Sequence, residues 1–318
     1  MNRRKLFQLL GMFGAWTALP AQAHRGILKI DETLGAIPHF EDALDGISSV
    51  CIAWGSQNVT DGWTQIKVIG IGASGQLFAN HLVHSENPFF DCCKSITSFE
   101  DFRSIASGTH MLFLAVDSTM PQVLKIADFI SQSCDILGNP GMTVTLIDVG
   151  APTNRAKARC ESRLQVDGVR ALESFSSVTG GIAKILNVEG YVGIDFEDVR
   201  TVLAECGLDS RMSVGSASGA DRAKRAALQA LSSAQSQSSF RPDSNGTLLL
   251  IGAFHADDTE RSVPARTSLS SLAYSEFQVI TKLIHQEAHL NADAHFVCGT
   301  YSDESLGDRL HVTLITSR

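Results

Sequence analysis

The chain has 318 residues, 44% of them hydrophobic and 19% charged, with 26 glycines and 8 prolines, a balance that fits a globular α/β protein of two domains. Its net charge of −8 and its dispersed basic residues exclude an electrostatic nucleic-acid footprint. The seven cysteines (Cys51, Cys92, Cys93, Cys134, Cys160, Cys206 and Cys298) are odd in number and hold no C-x-x-C, which excludes a disulfide framework and a cysteine zinc site. Adjacent Cys92 and Cys93 fit a redox pair, but neighbours in sequence bridge only with strain, so buried or inert thiols are the expectation.

Residues 1–23 carry a basic start (Arg3, Arg4, Lys5), an apolar stretch from Leu6 to Leu19 and the small-residue triplet Ala21-Gln22-Ala23. Two readings fit: a twin-arginine-type export signal, or an attached N-terminal helix that touches a membrane or a partner. Beyond this segment no run of about 18 apolar residues exists to span a bilayer. Residues 24–60 read as a leader in which "GISSVCIAWG" fits a short strand or helix.

The first firm element is the β-rich run Trp63–Gly72, followed by "QLFANHLVH", whose Leu77, Phe78, Leu82 and Val83 have helical spacing. His110–Val116 is a continuous apolar run, as in a buried parallel strand, and Pro121 opens the helix that follows. Gly141–Gly150 is a third buried strand, and 151–170 reads as a surface helix and loop. Strand, helix, strand, helix, strand at these intervals predicts a doubly wound, Rossmann-type parallel sheet over 61–189. Ser176–Gly190 reads as a helix whose Gly180-Gly181 invites close approach by another backbone. From 190 the pattern predicts a helix at Phe196–Cys206, a strand near Arg211–Val214 and a helix at Asp221–Ser232. A linker at 234–246 follows, then strand, amphipathic helix and two strands. This second half predicts an α+β domain with mixed strand directions.

Three motifs bear on chemistry. Gly70-Ile71-Gly72-Ala73-Ser74-Gly75-Gln76 keeps a G-x-G-x-x-G frame between strand and helix. It fits a phosphate held by the backbone N–H groups of Gly72 to Gly75, or equally a tight turn with no ligand. Asp195 and Asp198 stand three apart at a helix start, where Asp195 as cap and Asp198 in the first turn both complement the helix dipole. His285 and His289 lie four apart but lack a third ligand, so no metal is expected. "GSASG" at 215–219 has Ala217 at its centre and is no nucleophile elbow.

From Gly181 onward the chain resembles the bacterial tubulin-like division protein FtsZ. The likeness rests on Gly181-Ile182-Ala183, then Asp195-Phe196-Glu197-Asp198-Val199-Arg200, then Ala217-Ser218-Gly219-Ala220-Asp221-Arg222-Ala223, and on Ala227–Ser233. It continues through "EFQVITKLIHQEAHLNADAHFVCGTYSDESLGDRLHVTLITS", and upstream through "IKVIGIGASGQLFANHL". The resemblance implies a tubulin-type fold and a cytoplasmic, filament-forming GTPase of cell division. In that scheme one subunit holds GTP on glycine loops and the next supplies acidic residues that position the attacking water. Asp195 and Asp198 match those two aspartates, although Gly193 stands where the family has Asn. The second glycine loop is replaced by Asp117-Ser118-Thr119-Met120-Pro121, which leaves the hydroxyls of Ser118 and Thr119 as the only substitutes for a nest of amides. The spans 84–108 and 151–177 are shortened as well. The resemblance therefore implies weak or absent GTP binding, and assembly with itself or with a conventional FtsZ. Two other classes stay open. One is an NAD(P)-type oxidoreductase or sensor on the Gly70–Gly75 frame, with Asp91 or Glu100 as the ribose-binding acid. The other is an exported, nucleotide-free binding module.

Overall fold

The computed structural model describes residues 47, 49–55, 63–85, 87–136, 142–149, 162–166, 171–188, 190–206, 210–235, 244–254, 272–287 and 290–316. The readings of 1–23, of residues 24–46 and of His289 lie outside these residues. So does most of the 234–246 linker.

Ten strands form one sheet in the order β3-β1-β2-β4-β5-β6-β7-β10-β8-β9. They are β1 (Val50–Trp54), β2 (Ile66–Ile71), β3 (Cys92–Ser95), β4 (Met111–Val116), β5 (Thr143–Asp148), β6 (Ser162–Gln165), β7 (Ser210–Ala217), β8 (Ser244–Ala253), β9 (Leu290–Ser302) and β10 (Leu310–Thr316). The helices are α1 (Gly72–Val83), α2 (Phe99–Ala106), α3 (Pro121–Ile136), α4 (Ala171–Asn187), α5 (Phe196–Cys206), α6 (Arg222–Gln235) and α7 (Tyr274–Glu287).

The centre, β2-β4-β5-β6-β7, is parallel. Every residue of β4 and β5 is buried, as strands covered on both faces must be. Helices α1, α4 and α5 cover one face. Phe78, Ala79 and Leu82 of α1, Phe175, Val178 and Ile182 of α4, and Val199, Val202 and Leu203 of α5 share a core with alternate residues of the strands. In the second half β10 is antiparallel to β7 and β8, while β8 and β9 are parallel. The pleat is legible residue by residue in β8. Leu248 and Leu250 join the core under α4 and α5, whereas Leu249, Ile251 and Ala253 join a second core under α6 and α7.

One open alternative is resolved, in favour of a strand in "GISSVCIAWG", and two elements differ from the sequence expectation. The leader contributes β1, which is antiparallel to both β2 and β3 and extends the sheet at that edge. The polar stretch expected as a surface helix and loop contains β6, whose Leu164 is buried between β5 and β7. Helix α1 begins directly at Gly72, not after the glycine frame, so Ala73, Ser74, Gly75 and Gln76 are helical.

Candidate functional site

The C-terminal ends of the parallel strands are where such sheets bind ligands. Gly72, at φ 72°, turns the chain from β2 straight into α1. Its backbone N–H is already taken: it donates to the Ser49 carbonyl at 2.8 Å. The Ser49 hydroxyl in turn donates to Gln76 Oε1 at 2.6 Å. The residue before β1 therefore lies across the turn where a phosphate would be cradled. The flanking glycines serve packing. A Cβ on Gly75 would stand 2.2 Å from the Ala115 carbonyl oxygen, and one on Gly70 would stand 2.3 Å from the Gly75 oxygen.

The second loop is also closed on itself. Asp117 Oδ1 accepts from the Thr119 amide at 3.0 Å and from its hydroxyl at 2.5 Å. Asp117 Oδ2 lies 3.4 Å from the Ser74 hydroxyl, which donates to it across the gap between the two loops. Ser118 donates its amide at 3.1 Å and its hydroxyl at 2.5 Å to Asp148, a wholly buried carboxylate at the end of β5. Ser118 is itself buried. Two carboxylates thus occupy the amides and hydroxyls of Ser118 and Thr119, and bring negative charge to the place where phosphate oxygens would lie. Met120 and Leu77 stand exposed at this end, at 43% and 55%.

The other predicted pair sits at the opposite end of the sheet. Asn187, the last residue of α4, bonds Thr64 in both directions, at 2.8 Å to its amide and 3.2 Å to its carbonyl. His110 accepts from the Gln65 amide through Nδ1 at 2.9 Å and stacks edge-on against Phe196 at 6.2 Å. Thr64, Gln65 and His110 precede β2 and β4, so the start of α5 lies about one strand length, roughly 20 Å, from the loops. The connecting loop is pinned by Thr300, whose hydroxyl accepts from the Val192 amide at 3.0 Å. Gly190 is required there, because a Cβ would sit 1.8 Å from the Thr300 carbonyl oxygen.

Asp195 and Asp198 form a reciprocal capping box. The Asp198 amide donates to Asp195 Oδ1 at 2.9 Å, and the Asp195 amide donates to Asp198 Oδ2 at 3.1 Å. The helix-start reading is realised, yet the pair is not sealed: Asp195 is exposed, and Tyr191 beside it is 62% exposed. Partial burial pushes Asp198 above the usual carboxylate range against the Asp195 amide bond, with help from the Asp195 and Glu197 charges. Within one molecule this acidic edge cannot reach the loops.

No family profile matches the chain. The FtsZ of Buchnera aphidicola is 30% identical over 157 residues, which is 47% of this chain and 36% of that protein; the chain thus aligns with little more than a third of that relative. A mutant FtsZ from M. jannaschii superposes with a TM-score of 0.51 at 16% identity, over 69% of this chain and 68% of the other. That likeness establishes the fold, and over the 157 matched residues the sequence is similar to the same kind of protein. This chain has an FtsZ-type fold and, over part of its length, an FtsZ-like sequence.

In the FtsZ-like chain the structure brings Gly70, Gly72, Ala73, Ser74, Gly75 and Gln76 together with Ser118 and Thr119 at one end of the sheet, and Asp195 with Asp198 at the other. The residues weighed as ribose acids go elsewhere. Asp91 precedes the edge strand β3, and Glu100 lies exposed in the first turn of α2. Ser49 and Asp148 escaped the sequence reading. Asp148 left one signal, an acid closing an otherwise apolar strand; Ser49 left none. His285 packs against Phe296 at 6.0 Å, and among the described residues no cluster of three or more His, Cys, Asp or Glu could hold a metal. Also among the described residues, no helix is long and apolar enough to cross a membrane.

Proposed function

We propose that this protein is a cytoplasmic cytoskeletal component that associates head to tail, with itself or with a conventional FtsZ, and that it neither binds nor hydrolyses GTP to a useful degree on its own loops. The observation that carries the reading is the contrast between the ends of the sheet. At one end the Gly72 amide and the amides and hydroxyls of Ser118 and Thr119 are engaged by Ser49, Asp148 and Asp117; at the other, about 20 Å away, Asp195 stands exposed and Asp198 half-buried beside it. A heterologous contact joins unlike ends of successive subunits, so only a neighbour can be served by that edge.

Against an ordinary FtsZ subunit, Asp195 and Asp198 would polarise the water attacking the partner's γ-phosphate, as the resemblance implies. Against a second copy, the exposed Leu77 and Met120 at one end and Tyr191 at the other supply apolar contact without nucleotide. The test is GTP hydrolysis by a conventional FtsZ at fixed concentration, titrated with this chain. Wild type changes the turnover, and Asp195→Asn with Asp198→Asn removes the change while leaving the fold intact. Turnover that is indifferent to the added chain at every ratio refutes co-assembly.

A further inference from the structure

Strand β1 pairs with the edge strand β3 so that Cys51 faces Ser95 and Ala53 faces Cys93. Residues two apart share a face, so Cys51 and Cys93 are diagonal neighbours on one side of the sheet, and their side chains are hydrogen-bonded to each other. Cys92 alternates to the other side. The two thiols differ sharply in access: Cys51 is 1% exposed with the Gly70 amide against its sulfur, whereas Cys93, against the sequence expectation of a buried or inert thiol, is open to solvent because β3 is an edge strand. His84, just past the end of α1, adds a smaller electrostatic pull on Cys93 in the same direction as the Cys51 hydrogen bond. Its Nδ1 bonds the Asn80 carbonyl at 2.7 Å, which fixes that nitrogen as the donor. Lys94, next along β3, is engaged by Asp101 at 3.0 Å.

We infer that Cys93 and Cys51 form a peroxide-sensitive dithiol that closes reversibly into a disulfide between β3 and β1. The Cys93 thiolate attacks one peroxide oxygen, the O–O bond breaks, and the departing hydroxide takes a proton to become water. Cys51 then attacks the resulting sulfenic sulfur. The S–S bond forms, the S–O bond breaks, and the second hydroxide leaves with the Cys51 proton as water. Two thiols are oxidised, one peroxide is reduced to two waters, and a dithiol reductant reverses the bond. The order of attack follows from the hydrogen bond. By donating to Cys93, the Cys51 thiol lowers its partner to about 7 and is itself pushed up, by that bond and by burial. Once Cys93 is a neutral sulfenic acid, the hydrogen bond that held the Cys51 proton is gone and only burial still favours it. Diagonal Cα spacings of about 7–8 Å slightly exceed a disulfide's usual reach of roughly 4.4–6.8 Å. An edge strand of four residues, paired on one side only, moves inward by the difference.

The test treats the reduced full chain with a small excess of hydrogen peroxide at pH 7, blocks free thiols and maps peptides without reduction. The expected product is a Cys51–Cys93 linked peptide that dithiothreitol abolishes. In Cys51→Ala, Cys93 accumulates as a dimedone-reactive sulfenic acid, and its initial alkylation rate at pH 7 falls about threefold as its thiolate fraction drops. Peroxide consumption without the Cys51–Cys93 link in wild type overturns the inference. So does a Cys51→Ala chain whose Cys93 alkylates at the wild-type rate.

Discussion

Replacing Gly75 with alanine separates a packing glycine from a phosphate-binding one. The added Cβ would stand 2.2 Å from the Ala115 carbonyl oxygen, 3.1 Å from the Gly70 carbonyl carbon and 3.2 Å from that of Ala115. An ordinary contact to that oxygen is roughly 1 Å longer, and all three atoms are backbone of β4 and β2, which cannot rotate away. Helix α1 must therefore lift off the sheet by about 1 Å, and Phe78, Ala79 and Leu82 lose part of their contact with the core. Overpacking of this kind costs about 1–3 kcal/mol. The better helix propensity of alanine, about 1 kcal/mol, offsets only part of it. Urea unfolding should show a lower midpoint at unchanged slope for Gly75→Ala. Gly193→Ala, where a Cβ meets nothing within 4 Å, should stay within about 0.5 kcal/mol of wild type. A Gly75→Ala chain as stable as wild type would refute the view that this glycine frame is kept for helix–sheet contact.

At the acidic edge, Asp195→Asn keeps an equally good cap and should leave stability within about 0.5 kcal/mol, whereas Asp195→Ala should cost about 1 kcal/mol in urea unfolding; equal stability of the two would deny the capping box. His311 is half-buried, with its Nε2 shut off from solvent and unpaired, and this burial, reinforced by Lys184, holds it down to about 4. The folded state thus binds fewer protons than the unfolded one, so stability is whole above about pH 6.5 and falls toward pH 4 by about 3 kcal/mol. Measured from pH 4 to 7, His311→Gln should flatten that fall, and an unchanged slope would contradict the assignment. Arg222 is 5% exposed and grips Glu276 bidentately at 2.8 and 2.9 Å while donating to the Asp308 carbonyl at 2.8 Å. Arg222→Ala should cost about 2–3 kcal/mol, since its partners are partly solvated, and Arg222→Lys should recover only a fraction by thermal melting. A full rescue by Lys would mean that charge alone matters there.

The strands that the sequence made legible are those with long apolar runs bounded by glycine, namely β2, β4, β5 and β8, because burial on both faces demands continuous hydrophobicity. The helices α5 and α6 were legible from their spacing and caps. Strand β3, "CCKS", and strand β6, "SRLQ", carry no such signature; each is defined by a neighbouring strand that supplies its hydrogen bonds. The same distinction runs through the site. Asp195 and Asp198 are three residues apart, and their mutual capping is a local fact that spacing reveals. The closure of the loops depends on Asp148 meeting Ser118 across 30 residues and on Ser49 meeting Gln76 across 27, pairings that only the folded sheet creates.

Sedimentation velocity of the purified chain over a range of concentrations, with and without GTP, tests the central proposal most directly. The account predicts concentration-dependent association whose extent GTP leaves unchanged, and its loss when Tyr191 is made charged. A chain that stays monomeric alone and is also absent from the sedimenting assemblies of a conventional FtsZ, or one that self-assembles only when GTP is added, would contradict it.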